Sequence, residues 1–473
     1  MEKQDTKTDI QELEKKLKYT PTHVWDSIDD DEKKRAFAFA EVYKDFLDQA
    51  KTEREAVRYI SEKALAAGFT YPGTSNPPSS AIVMNMYGKT VSMARLGTEP
   101  LSEGVRIIIS HIDAPRLDLK QRPLMEKEDM AFLKTHYYGG IKKFQWLTRP
   151  LSIHGCIIKS DGSALNVEIG EREDDPVFTI LDLLPHLARK AQYEKKLLDA
   201  IEGEKLNIVV GSLPFENKDV SDRFKLSVLL YLDQKYGVRE EDLISSELEV
   251  VPAGRARDVG LDRGLVGGYG QDDRICAFSS MNALLDAKGL KKTGIILFAD
   301  KEEIGSDGAT GAKSRFIEQV VAELMKTAGL TPTAFQINSI LSRSQALSAD
   351  VNAGIDPDYT DVHEKQNAAR TGYGLCMTKF TGHGGKYAAN DANAEYVGWL
   401  RQVFNRQKVV WQTGELGKVD EGGGGTVAKF LASYGMNIVD CGPPILSMHS
   451  PFEVSHKGDL YMAYKGYRAF LEE

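Results

Sequence analysis

Thiols are scarce in this chain: Cys156, Cys276, Cys376 and Cys441 are the four cysteines in 473 residues. None forms a Cys-x-x-Cys pair, which excludes a zinc ribbon or a thioredoxin-type motif and gives no sign of a disulfide framework. Positive charge is also short. With 60 Lys and Arg against 69 Asp and Glu, the formal charge is −9, whereas a nucleic-acid binder normally shows a basic face. No apolar run approaches the ~20 residues needed to cross a bilayer. The charged amino terminus, Met1-Glu-Lys-Gln-Asp-Thr-Lys, lacks the apolar region of a secretory signal. These absences point to a cytoplasmic globular protein with neither a nucleic acid nor a membrane as partner.

The length exceeds the ~250–300 residues at which a single core stops growing, so two or more domains are expected. Helical spacing of Phe37, Phe39, Val42, Tyr43, Phe46 and Leu47, then of Val57, Ile60 and Leu65, predicts helices between Asp31 and Gly68. A Gly/Ser/Pro-rich loop at Pro72–Ser80 precedes short strands near Ala81–Met86 and Thr90–Arg95. Val105–Ser110 is a compact β-branched run, a candidate buried strand. From about Pro115 to Val250 the texture changes to short alternating stretches (Ser152–Lys159, Leu165–Gly170), charged patches and a helical stretch from Asp182. That segment reads as an inserted α+β domain over residues 116–250, leaving 1–115 and 251–473 as one discontinuous unit. There, a helix after Gly270-Gln-Asp-Asp273 capped at Gly289, a strand at Ile295–Ala299 and a helix from Ala312 to Gly329 follow one another, with a last helix over Gly458–Leu471. Strands alternating with helices imply an α/β fold with a central, mostly parallel sheet flanked by helices.

Chemistry-bearing residues gather where these strands end. Glu302 and Glu303 follow the apolar run Thr293–Ala299, and open α/β sheets place their chemistry beyond the carboxyl ends of strands. A solvated charged turn is the plainer reading. His111 and Asp113 end the Val105–Ser110 run; a nearby carboxylate commonly orients a metal-binding imidazole, although Pro115 also suits an ordinary surface turn. Asp272 and Asp273 precede a helix start, where aspartate is favoured for structural reasons. One such carboxylate could instead bridge two metal ions ~3.5–4 Å apart. Asp350 and His449 are unremarkable singly. Together the set offers imidazole and carboxylate without thiolate, which suits Zn²⁺, with Mn²⁺ or Co²⁺ possible. Gly422–Gly425 invites a phosphate-loop reading but lacks the Gly-Lys-Ser/Thr ending of a Walker loop. A close-packed loop lining the site fits better.

Ser110-His-Ile-Asp-Ala-Pro115, Gln271-Asp-Asp273, Asp300-Lys-Glu-Glu-Ile-Gly-Ser306, Ser348-Ala-Asp-Val351 and Ser447-Met-His-Ser450 resemble, in order and spacing, the signatures of the aspartyl aminopeptidase and aminopeptidase I family of dizinc exopeptidases. Lys134–Trp146 is more similar to the bacterial aminopeptidase I branch. The resemblance implies a zinc-exopeptidase-like sandwich and two divalent metals per chain. It makes Asp272 the bridge, His111 and Asp350 the ligands of one metal, and Glu303 and His449 those of the other. Asp113 would orient His111. Glu302 would be the general base, taking a proton from water and returning it to the leaving amine of a peptide with a free amino terminus. The inserted domain would mediate dimerisation, and dimers would build a dodecamer. Lys379 and His383 fall in a stretch resembling the substrate pocket. Aspartyl members carry a histidine shortly after the aspartate matching Asp350, where this chain has Val351-Asn-Ala-Gly354, and another where Lys190 aligns. These departures point towards neutral or hydrophobic amino-terminal residues, although Lys379 could still attract an acidic side chain. A related dimetal deacylase or carboxypeptidase, or a non-catalytic self-assembling shell or cargo protein, are the alternatives.

Overall fold

The strand Arg106–His111 is buried at every position, as a strand covered on both faces must be. Ile107 and Ile109 join one hydrophobic cluster while Ile108 joins the other, the two-residue alternation of a pleated strand. This strand lies within an eight-stranded sheet in the computed structural model, which describes residues 2–76 and 79–473. The order across the sheet is Ala81–Met86, Thr90–Arg95, Gly294–Ala299, Arg106–His111, Gln345–Ser348, Asn437–Gly442, Leu375–Thr378 and Trp411–Thr413. The run from Gly294–Ala299 to Asn437–Gly442 is parallel. The first two strands form an antiparallel hairpin beside it.

Helices cover both faces. Asp30–Gln49, Glu53–Ala66, Gln271–Asp286, Ala394–Arg406 and Lys457–Glu472 supply one cluster; Phe316–Thr327 and Ala334–Ser342 supply the other. The mixed α/β architecture expected from the sequence is present. Several details differ. Val42 and Leu65, placed on the apolar faces, point outward, at 49% and 40% exposure. The helix from Gln271 stops at Asp286, before Gly289. In the loop at 72–80, Pro77 and Pro78 lie outside the described residues. The helix expected from Asp182 is absent, replaced by short turns at Pro185–Leu187, Arg189–Tyr193 and Leu197–Ala200. None of those turns buries a hydrophobic face, and short helices without tertiary packing are marginal in water.

Residues between His111 and Ala253 build a separate, wholly antiparallel six-stranded sheet with its own core. It meets the start of the Glu53–Ala66 helix through buried ion pairs. His154 Nδ1 is 2.8 Å from Glu55 Oε1, and its Nε2 is 3.1 Å from Glu171 Oε1. Lys51 Nζ lies 2.6 Å from the same Glu171 oxygen. Arg116 lies between Glu53, Asp118 and Glu249. A five-stranded sheet of Arg257–Val259, Leu265–Gly268, Glu453–His456, Pro444–Leu446 and Asn352–Ala353 completes the fold. Its strands border the loops carrying Asp272, Asp350 and His449, and so bring those loops to the ends of the central parallel strands.

Candidate metal centre

Chain geometry explains why distant residues meet. The parallel strands Gly294–Ala299, Arg106–His111 and Gln345–Ser348 end side by side, which delivers Glu302 and Glu303, His111 and Asp113, and Asp350 to one edge. Asp272 and Asp273 open the Gln271–Asp286 helix with non-helical backbone, and the peptide bond between them is cis. His449 sits at φ +62° in the turn between Pro444–Leu446 and Glu453–His456.

Asp272 stands between two imidazoles. Its Oδ1 is 3.1 Å from His111 Nε2, and its Oδ2 is 3.3 Å from His449 Nε2. Glu303 Oε2 is 3.5 Å from the same His449 nitrogen, and Asp350 Oδ1 is 3.9 Å from His111 Nε2. Ligand atoms of His111, Asp272 and Glu303 lie within 4.8 Å of one another, as do those of His111, Asp273 and Asp350. Asp273, which sequence reasoning did not single out as a ligand, already accepts the backbone N–H of His111 on Oδ2 at 3.3 Å. Asp272 has the better bridging geometry, because each of its oxygens faces a different histidine.

Asp113 anchors this edge. Its Oδ1 lies 3.4 Å from His111 Nδ1 and accepts the Glu302 N–H at 3.1 Å. Its Oδ2 accepts the Glu303 N–H at 3.2 Å and the Tyr138 hydroxyl at 2.8 Å. The turn at Glu302–Ile304 is thereby held so that the two glutamates diverge. Glu303 reaches His449, whereas no hydrogen bond or ion pair among the described residues engages the Glu302 carboxylate.

Six carboxylates (Asp113, Asp272, Asp273, Glu302, Glu303 and Asp350) crowd two imidazoles. Burial pushes Glu303, Asp350 and Asp273 well above the usual carboxylate range. Burial also lifts Glu302 to about 6, with His111 pulling down and Asp113 pushing up. Burial would raise Asp272 too, but hydrogen bonds to His111 and His449 hold it well below its ordinary value. Against burial, Asp113 and Asp272 push His111 well above the ordinary imidazole value. Excess buried negative charge of this kind calls for a cation. Glu303 Oε1 and Asp273 Oδ1 are buried without a hydrogen-bond partner, as unused ligand atoms would be. The donor set therefore fits divalent metals, zinc foremost.

Two further residues escaped sequence reasoning. Glu453, buried to 1% exposure, accepts the backbone N–H of Asp272 at 3.1 Å and the backbone N–H of His449 at 2.7 Å, one on each oxygen. Asp440 is paired across the sheet with Ser348 and accepts the Thr426 hydroxyl at 2.7 Å. Glu453 opens the short strand Glu453–His456; a single acid four residues after His449 was its only trace in the sequence. Lys379 and His383 are not brought into the cluster by any hydrogen bond or ion pair among the described residues. Lys379 Nζ is 2.6 Å from Asp391 Oδ1, and His383 pairs with Gly423 in a two-stranded ladder. There a Cβ on Gly423 would fall 2.3 Å from the Gly382 carbonyl oxygen, so the glycine run serves close backbone packing.

Comparison with known proteins places this geometry in a family. The family model described as aminopeptidase I zinc metalloprotease (M18) matches residues 46–471. A probable M18 family aminopeptidase 1 from Clostridium acetobutylicum is 48% identical over 455 residues, covering 95% of this chain and 97% of that protein. The crystal structure of the M18 aminopeptidase from Thermotoga maritima superposes with a TM-score of 0.92 at 44% identity, covering 96% of this chain and all of that one. The fold extends to an S. cerevisiae mApe1 dodecamer, 23% identical with a TM-score of 0.72 over 91% of this chain and 95% of that one. The chain belongs to the M18 family of aminopeptidase I zinc metalloproteases.

Proposed function

We propose that this aminopeptidase removes the amino-terminal residue of peptides at a centre of two zinc ions, which Mn²⁺ or Co²⁺ could replace. His111 and Asp350 would hold one, Glu303 and His449 the other, and Asp272 would be shared. The observation that carries this reading is the Asp272 carboxylate, whose two oxygens face His111 and His449 separately at 3.1 and 3.3 Å. When bound, the ions supply a Lewis acid for the scissile carbonyl and acidify water towards neutrality. Glu302 takes a proton from the attacking water and returns it to the leaving amine; no hydrogen bond or ion pair among the described residues engages its carboxylate, whereas Glu303 reaches His449. Asp113 keeps His111 turned so that Nε2 faces the ligand side. Carboxylates around the centre receive the free ammonium of the substrate, which limits cleavage to one residue at a time.

Residues 1–115 and 251–473 form the zinc-exopeptidase-like catalytic sandwich in this reading. Residues 116–250 form the dimerisation domain, with dimers assembling into a dodecamer. Leu181, Leu184, Leu187 and Leu198 expose 51–80% of their surface on that insert, which also holds an apolar cavity of about 530 Å³ lined by Leu133, Phe178, Leu213 and Tyr231 among others. Four buried free thiols suit a reduced, cytoplasmic setting. Lys379 and His383 would contribute to the substrate pocket, and the Asp391 carboxylate 2.6 Å from Lys379 offsets its positive charge, which favours neutral or hydrophobic amino-terminal residues.

Aminoacyl reporter peptides, free or blocked at the amino terminus and assayed with Zn²⁺, Mn²⁺ and Co²⁺, test this function. Turnover confined to free amino termini is the expected result. Turnover of blocked peptides would favour a dimetal deacylase or carboxypeptidase, and no turnover by the metal-loaded protein would favour a self-assembling shell.

A further inference from the structure

Three consecutive residues where the inner strand Met130–Tyr138 of the six-stranded sheet ends touch the metal centre's residues. The strand Arg116–Lys127 leaves the site directly after Pro115, and its partner Met130–Tyr138 returns in antiparallel register with Arg116 opposite Tyr138. The hairpin thus brings Tyr138, Gly139 and Gly140 back beside His111 and Asp113.

Each of the three meets a different group. The Tyr138 hydroxyl donates to Asp113 Oδ2 at 2.8 Å, adding a contact from the insert to a carboxylate otherwise occupied by His111 and the Glu302–Glu303 turn. The phenol is itself pinned, since the Arg116 guanidinium lies 4.0 Å from its ring centre and is held by Glu53 and Glu249. Gly139 packs against Glu303: a Cβ there would lie 3.3 Å from Glu303 Cβ, at a backbone φ of +71°. The Gly140 carbonyl accepts the His449 Nδ1–H at 2.9 Å, which fixes the tautomer and leaves Nε2 facing Asp272 and Glu303. A Cβ on Gly140 would sit 3.2 Å from that Nδ1, so the imidazole would have to move.

We infer that Tyr138, Gly139 and Gly140 are positioning residues of the metal centre, and that the insert sets metal affinity by orienting Asp113, Glu303 and His449. The inference rests on the two-metal reading above. It makes the insert part of the catalytic unit as well as a surface for assembly. Disturbing its edge should loosen the metals while the ligands themselves remain intact.

The test compares the full-length wild type with Tyr138→Phe, Gly140→Ala and a control, Tyr137→Phe. Tyr137 precedes Tyr138 on the opposite face of the strand and is 45% exposed. Zn²⁺ affinity is measured by chelator competition, and ligand geometry by the visible absorption of the Co²⁺-loaded protein. Tyr138→Phe and Gly140→Ala are expected to bind metal about 10–100-fold more weakly, the usual effect of losing an outer contact to a ligand. They should also change the Co²⁺ spectrum and lower kcat with KM little changed. Tyr137→Phe should match the wild type in every readout. Wild-type affinity and spectrum in both altered proteins would overturn the inference. If Tyr138→Phe folds poorly, the Gly140→Ala spectrum decides. Failure of the wild type to bind two metals would instead overturn the two-metal reading.

Discussion

His154 joins the six-stranded antiparallel sheet to the Glu53–Ala66 helix, and its proton should be visible in the protein's stability. The side chain is buried between Glu55 on one nitrogen and Glu171 and Ser152 on the other, with Lys51 on the far side of Glu171. Burial opposes the charged form, but Glu171 and Glu55 outweigh it and raise the imidazole from 6.5 to about 9. A group whose value rises on folding stabilises fully below its unfolded value and loses that contribution as pH climbs through its folded value. The window here is therefore about pH 6.5 to 9. At 1.36 kcal/mol per unit, the contribution is about 3 kcal/mol, shared among His154 and its two carboxylates. His154→Gln removes the titrating group and keeps a polar side chain. Urea midpoints of the metal-loaded wild type and this variant, followed by tryptophan fluorescence from pH 6 to 10, isolate the effect because other titrations cancel in the difference. The stability gap should be largest at pH 6 and narrow by about 3 kcal/mol by pH 10. A gap that stays constant, or widens with pH, would refute a protonated His154 at the joint.

Two other substitutions probe the metal centre. Glu453→Gln presents a single acceptor where the Asp272 and His449 N–H groups need one each; it should cost about 1–3 kcal/mol of stability, read as a lower urea midpoint, and weaken metal binding. Asp272→Asn should lose at least one metal per chain by elemental analysis, and full occupancy would count against a shared carboxylate.

Much of the site was legible because its residues stand where strands end. His111, Glu303 and Asp350 follow apolar β-runs, and the sheet that those runs build brings them together. The Gln271-Asp-Asp273 motif was legible as a helix start, but which aspartate faces both histidines depends on the irregular backbone at that start. Glu453 was hidden because its job is to hold two backbone N–H groups across a sheet, a tertiary contact with no periodic signature. Lys134–Trp146 stood out by resemblance, but the contacts of Tyr138, Gly139 and Gly140 within it were hidden for a related reason: they depend on hairpin register, which pairs Tyr138 with Arg116. The helical stretch expected from Asp182 did not form because the short turns there bury no side chains against the rest of the chain. Val42 and Leu65 likewise fit a helical period yet face solvent, since a period identifies an apolar stripe but not its edges.

The division of labour between two adjacent glutamates is decided by Glu302→Gln, assayed for turnover and metal content on the same preparation. If Glu302 moves the proton and Glu303 holds the metal, turnover should fall by roughly 10²–10⁴-fold, the range for loss of a general base, with metal content near that of the wild type. Near-wild-type turnover, or loss of metal in step with activity, would contradict that assignment.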